Sequence, residues 1–217
     1  MKDSVIKKIL DKKVVAIVRG YTISECIGLA EALCKGGVEL MEVTFPQNDR
    51  DGAEYTARTI SALKEALGDR MEFGAGTVTT TEMVKMAKDA GATFIISPDT
   101  NEEVIKATVE AGLVSIPGAL TPTEIKHAWD LGADFVKVFP AGVFGPKYFK
   151  DVHAPLSQVR MLAVGSVSSD NIADYLKNSA CGAGVASCLF TKEWVKNGEW
   201  DKITEASAKV MSIVESC

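Results

Sequence analysis

Three consecutive segments in the middle of this chain follow one plan, and that plan leaves few folds open. They begin "TTTE", "TNEE" and "TPTE", run through a helical stretch to Gly91, Gly112 and Gly132, and then enter the short apolar runs "ATFIISP", "LVSIPG" and "ADFVKVFP". Thr79 with Glu82, Thr100 with Glu103 and Thr121 with Glu124 each read as a capping box, which satisfies the orphan amides of a helix N-terminus. Pro122 suits a first helical position, where its missing N–H costs nothing. Each glycine suits the left-handed residue that ends a helix. Thr22 with Glu25 repeats the start signal earlier, closing at Gly36 and Gly37 before "VELMEVTF". The unit is a βα repeat of about twenty residues, close to the shortest that a helix plus a strand allows.

The apolar runs are continuous rather than alternating, which predicts parallel strands covered on both faces. Eight candidates follow along the chain: "VVAIVR", "VELMEV", "MEFGAG", "ATFIIS", "LVSIPG", "DFVKVF", "VRMLAV" and "GAGVAS". After the last, "TKEWVKNGEWDKITEASAKVMSIVES" reads as a short helix and a long one. Eight βα units predict an α/β fold, a (β/α)8 TIM barrel. The rival, a doubly wound open sheet, would want G-x-G-x-x-G after the first strand, and "VVAIVRGYT" has none. No linker or low-complexity stretch divides residues 1–217, so one barrel domain is expected.

Other classes are set aside on composition. A net charge of −5 offers no basic footprint for nucleic acid. The apolar runs are strand-length, so no membrane span is expected. "MKDSVIKKILDKK" is charged throughout, unlike the apolar core of a signal peptide. Five cysteines, an odd number with no C-x-x-C, read as free thiols in a reducing cytoplasm. The two histidines, His127 in a predicted helix and His153 in a predicted loop, form no metal-ligand cluster, so neither metal nor cofactor is expected.

Barrel chemistry sits at the C-terminal ends of the strands. The polar residues there are Arg19, Glu42, Thr44, Thr77, Ser97, Lys137, Ser166 and Ser187. Lys137 lies between Val136 and Val138 on a predicted central strand, where an unpaired ammonium is costly. One reading is a lysine snorkelling to the rim. The other is an amine made nucleophilic by desolvation, able to attack a carbonyl and form a Schiff base. Glu42 in "LMEVTF" reads either as a strand-end ion pair or as the general acid–base that imine chemistry requires. Arg19 reads as a rim salt bridge or as a clamp for a substrate carboxylate or phosphate. "AVGSVSSDN" and "GAGVAS" follow the last two strands, where barrels often hold phosphate on backbone amides.

"GGVELMEVTF", "GAGTV", "ISP", "IPGALTPTE", "FVKVFPA" and "SSDNIADYL", in that order, resemble the class I aldolases that act on 2-keto-3-deoxy-6-phosphogluconate (KDPG) and 4-hydroxy-2-oxoglutarate (KHG). The resemblance runs from about Val14 to about Leu189. It implies a homotrimeric barrel working without metal, in which Lys137 forms the Schiff base with the pyruvate portion and Glu42 shuttles protons. Thr77 and Pro98 would line the pyruvate pocket, with Phe139 beside it. Two motifs depart from the family pattern. Pro46 stands where many members carry the arginine that holds the substrate carboxylate, which shifts that task to Arg19. The phosphate loops read Val164-Gly165-Ser166 and Val185-Ala186-Ser187, where the family has Thr-Gly-Gly and glycines before a serine. Gly165, Ser166 and Ser187 would then meet a phosphate mainly through backbone amides.

The resulting expectation is reversible cleavage of a 2-keto-4-hydroxy acid to pyruvate and an aldehyde, with the aldehyde's identity open. A phosphate-binding barrel isomerase or epimerase, and a non-catalytic sugar-acid-binding barrel, stand as the alternatives.

Overall fold

The structure, a computed structural model, describes residues 2–217. A first helix, α1 (Lys2–Lys12), leads into β1 (Val14–Val18), α2 (Ile23–Lys35), β2 (Leu40–Thr44), α3 (Arg50–Leu67) and β3 (Glu72–Gly76). Then come α4 (Thr81–Asp89), β4 (Phe94–Ile96), α5 (Glu102–Glu110), β5 (Val114–Ile116), β6 (Gly118–Ala119), α6 (Pro122–Asp130) and β7 (Val136–Val138). A 3-10 turn (Ala141–Val143), α7 (Pro146–His153), β8 (Met161–Val164), α8 (Ile172–Lys177), β9 (Ala180–Val185), α9 (Lys192–Lys196) and α10 (Trp200–Glu215) complete the chain. His153 therefore ends a helix rather than lying in a loop.

The strands form one parallel sheet in the order β5-β4-β3-β2-β1-β9-β8-β7-β6. Nine strands appear where eight were expected because Pro117, which has no N–H to give, divides the fifth into β5 and β6. β5 pairs with β4 and β6 with β7. Phe135 N donates to Ser115 O at 3.2 Å and Lys137 N to Pro117 O at 2.8 Å. The backbone running through Pro117 thus joins the two ends of the sheet, and the barrel closes.

Two of the four helix starts differ from expectation by one residue. Thr22 and Thr121 form full capping boxes with Glu25 and Glu124. At α4 the cap is Thr80, because the Thr79 hydroxyl donates instead to Gln47 Oε1 at 2.7 Å. At α5 it is Asn101, because the Thr100 hydroxyl donates to Gly118 O at 2.7 Å. Gly91, Gly112 and Gly132 all take positive φ, as the repeat requires.

One apolar cluster lies between barrel and helices, and a second fills the barrel itself. The inner cluster joins Val15, Leu40, Phe94, Val114, Phe135 and Leu162 to Val5 and Ile9 of α1. That helix closes the N-terminal end. Its lysines anchor it there: Lys12 pairs with Glu39 at 2.6 Å and Lys2 with Asp134 at 3.0 Å. Gly74 explains how Phe94 fits, since a Cβ on Gly74 would lie 2.2 Å from its ring. With this end packed solid, polar chemistry is confined to the other.

Candidate active site

Inward-pointing positions on a strand recur every second residue. On β7 the sequence Phe135, Lys137, Phe139 therefore carries the inner apolar face up to the C-terminal mouth, with the lysine as its middle member. Lys137 is 7% exposed, and its Nζ lies 4.8 Å from the centre of the Phe139 ring, itself 39% exposed at the rim. In register beside Lys137 are Leu162 on β8 and Gly118 on β6. A Cβ on Gly118 would sit 2.3 Å from Pro98 O, so the β4–α5 turn passes directly over this glycine. Pro98 is thereby brought beside the lysine's strand.

Glu42 occupies the matching position on β2 and is 2% exposed. Its carboxylate reaches into space that glycine leaves open, since a Cβ on Gly76 would lie 2.6 Å from Oε2. That oxygen has no hydrogen-bond partner. Burial raises the Glu42 pKa to about 7, against the opposing pull of the Lys137 and Arg19 cations. Burial likewise lowers the Lys137 pKa; the Glu42 carboxylate raises it and Arg19 lowers it further. Among the described residues Lys137 makes no ion pair. The two groups influence one another through low-dielectric protein without contact, a regime in which such effects are large.

Arg19 follows β1 at the rim, and its Nη2 donates to Thr77 Oγ1 at 3.0 Å. Thr77 takes φ +57°, a left-handed conformation that β-branched residues avoid. Gln47 holds the strained turn, donating from Nε2 to Thr77 O at 2.9 Å and accepting from Thr79. Nothing in the sequence marks this glutamine, whose partners lie 30 and 32 residues away. A cavity of about 580 Å³ flanks the mouth between α2 and α3, sharing Arg19, Thr44 and Thr77 with the site and lined further out by Tyr21, Cys26 and Tyr55. It does not include Lys137 or Glu42, so it extends the site rather than defining it.

After β8, Gly165 and Ser166 both take positive φ, and the Ser166 side chain lies against Gly142, whose Cβ would meet Ser166 Cβ at 2.6 Å. Asn171 latches this loop, donating to Ser166 O and accepting from Ser168 N, each at 2.9 Å. The N–H groups of Ser166 and of the exposed Ser187, after β9, donate to no acceptor among the described residues. The expected positions thus fall at one end of the barrel, those of the β1–β3 side around Glu42 and those of the β8–β9 side around the free amides.

A Schiff-base (class I) aldolase is the class that this fold and site define. The chain belongs to the KDPG and KHG aldolase family, whose model matches residues 5–206. It is 34% identical over 81% of its length to the 2-dehydro-3-deoxy-6-phosphogalactonate aldolase of Escherichia coli K12, covering 83% of that protein. It is 31% identical to the 2-dehydro-3-deoxy-phosphogluconate aldolase of Treponema pallidum, over 93% of each chain. The crystal structure of the KDPG aldolase from Legionella pneumophila, with pyruvate captured as a covalent carbinolamine, superposes with a TM-score of 0.84 at 27% identity, covering 97% of this chain and 98% of that one. These relatives do not favour the isomerase or the non-catalytic reading.

The raised pKa of Glu42 has a consequence for stability. The folded protein binds this proton more tightly than the unfolded chain, whose carboxyl titrates near 4.5. Stability therefore falls as pH rises from about 4.5 to about 7 and then levels. In Glu42→Gln that decline should be missing. Urea unfolding of both proteins across this range should show the variant gaining steadily on the wild type, and a constant difference would contradict the buried, proton-holding carboxyl.

Proposed function

We propose that Lys137 is the Schiff-base lysine and Glu42 the proton carrier of a reversible aldol cleavage yielding pyruvate and an aldehyde. The observation that carries this reading is their joint burial without an ion pair: a lysine locked in a contact salt bridge would stay protonated, and only the free amine is a nucleophile. Lys137 Nζ adds to the C2 ketone of a 2-keto-4-hydroxy acid, and the carbinolamine loses water to give an iminium. Glu42 takes the C4 hydroxyl proton, C3–C4 breaks, and the electron pair enters an enamine. Protonation at C3 and hydrolysis then release pyruvate. A carboxyl titrating near neutrality serves both directions of this transfer. Arg19 and Thr77, already joined by a hydrogen bond, hold the substrate carboxylate in place of the arginine that Pro46 replaces. Pro98 and Phe139 wall the pyruvyl group.

Borohydride reduction in the presence of pyruvate should add one reduced adduct, and peptide mapping should place it on Lys137. Lys137→Arg should lose turnover by several orders of magnitude, because a guanidinium forms no imine. An adduct on any other lysine would sink the assignment.

The free amides of Ser166 and Ser187, with Gly165, support a seat for the distal end of the substrate after β8 and β9. If that seat takes phosphate, kcat/KM should favour KDPG over KHG by tenfold or more, a hydrogen-bonded anion being worth about 1.5–3 kcal/mol. Equal values would assign the loops an unphosphorylated aldehyde.

We further propose a cytoplasmic homotrimer. Support for assembly comes from the loop after β7, where Val143 and Phe144 are 62% and 55% exposed beside Phe139. Sedimentation equilibrium should return three times the 23.2 kDa chain mass; a monomer mass would refute it.

A further inference from the structure

Two side-chain oxygens on β2 are buried without a hydrogen-bond partner, Glu42 Oε2 and Thr44 Oγ1. Their residues are two apart on a strand and so point to the same side of the sheet. Both border one gap. Thr44 is in register with Gly76 on β3, and a Cβ at Gly76 would lie 2.6 Å from Glu42 Oε2. An unmade buried hydrogen bond is costly. Two unpartnered buried oxygens on one face of one strand, both beside Gly76, point to a shared polar partner supplied by a ligand. The threonine also lines the 580 Å³ cavity together with Arg19 and Thr77, so a ligand held by those two residues meets it.

A hydroxyl group has the chemistry that both atoms lack, a lone pair for the Thr44 O–H and a proton for the Glu42 carboxylate. It accepts from the Thr44 O–H and donates to the Glu42 carboxylate. The substrate assigned above carries such an oxygen at the reacting centre. Resting on that reading, we propose that Thr44 is a positioning residue that holds the substrate's C4 oxygen against Glu42. In the cleavage step the O4 proton passes to Glu42 and the O–H electron pair becomes the C4=O π bond. The C3–C4 pair enters the C2=C3 bond of the enamine, and the iminium nitrogen is neutralised. Thr44 keeps its own proton throughout and stabilises the oxygen while it carries developing negative charge.

The test uses two reactions of the same enzyme. Cleavage of KHG needs the C4 oxygen. Exchange of pyruvate methyl protons with deuterated water needs the imine and Glu42 but has no C4 oxygen. Thr44→Val, close to isosteric, should lower kcat for cleavage about ten- to a hundredfold, the loss of one hydrogen bond to a charged oxygen. Proton exchange should stay within about twofold of wild type, and Thr44→Ser should recover most of the cleavage rate. Parallel loss of both reactions would overturn the proposal, because the hydroxyl would then serve the pyruvyl half. So would unchanged cleavage in Thr44→Val, or failure of Thr44→Ser to rescue, which would make the methyl group the useful part. If Thr44→Val does not fold, Thr44→Ala carries the same comparison. Absence of exchange in the wild type would strike at the Lys137 reading itself, and so is distinguishable from a failure specific to Thr44.

Discussion

A lysine and a glutamate share the interior of one barrel end without forming an ion pair, and the rest of the structure serves that arrangement. In contact, the two would hold each other charged, and the amine would be no nucleophile. In water, each would titrate near its ordinary value, and neither would be ready at neutral pH. Burial with separation lies between these limits. Desolvation pushes the carboxyl up to about 7 and the ammonium down, while mutual attraction restrains both shifts. Arg19 adds a third charge that favours the ionised carboxyl and disfavours the second cation. Such placement works only in a medium poor in water, which Phe94 supplies lower in the barrel, Leu162 beside the lysine and Phe139 at the rim.

The backbone accommodates this placement through small residues. Gly74 admits the Phe94 ring, Gly76 leaves space for the Glu42 carboxylate, and Gly118 lets the Pro98 turn cross beside the lysine. Each is intolerant of a Cβ for a different reason, yet all lie on strands adjoining the site. The left-handed Thr77 is a strained residue at its centre, a conformation that persists only when neighbours over-determine it. Here the neighbours are Gln47 on its carbonyl and Arg19 on its hydroxyl. The arginine therefore reaches the site already oriented by the residue it is proposed to work beside.

Much of this was legible in the chain because the signals are local. Parallel strands buried on both faces read as continuous apolar runs, and the T-x-x-E starts and terminal glycines punctuate them. Lys137 stood out because a cation interrupts such a run, and Glu42 because it ends another. What escaped depends on contacts between distant segments. The caps moved to Thr80 and Asn101 because Thr79 and Thr100 had partners on other loops, which no local rule anticipates. Pro117 was visible, but that it divides a strand while the barrel still closes is a matter of ladder geometry. The amphipathic spacing of Val5 and Ile9 was present in the sequence; the charge around it masked a helix that plugs the barrel. Gln47 and Asn171 carry no motif at all and matter only through the turns they latch. Thr44 was one polar strand end among eight, and only its missing partner distinguishes it.

The two halves of the site are built from different material. Lys137, Glu42 and Thr44 sit on strands whose ladders are paired on both sides, so their positions are fixed by the barrel as a whole. The distal groups sit on loops held by single side chains, as Asn171 holds the turn at Ser166. A substitution in a strand disturbs packing throughout a dense interior. One in these loops changes only a local turn. On the proposed roles, bond-making chemistry is tied to the stability of the fold, and the choice of aldehyde rests on loops that can change without disturbing it. The departures from the pattern that the resemblance implies stand at Pro46, Val164, Ser166, Val185 and Ala186, in loops or at the last residues of β8 and β9, while Lys137 and Glu42 are the residues it implies.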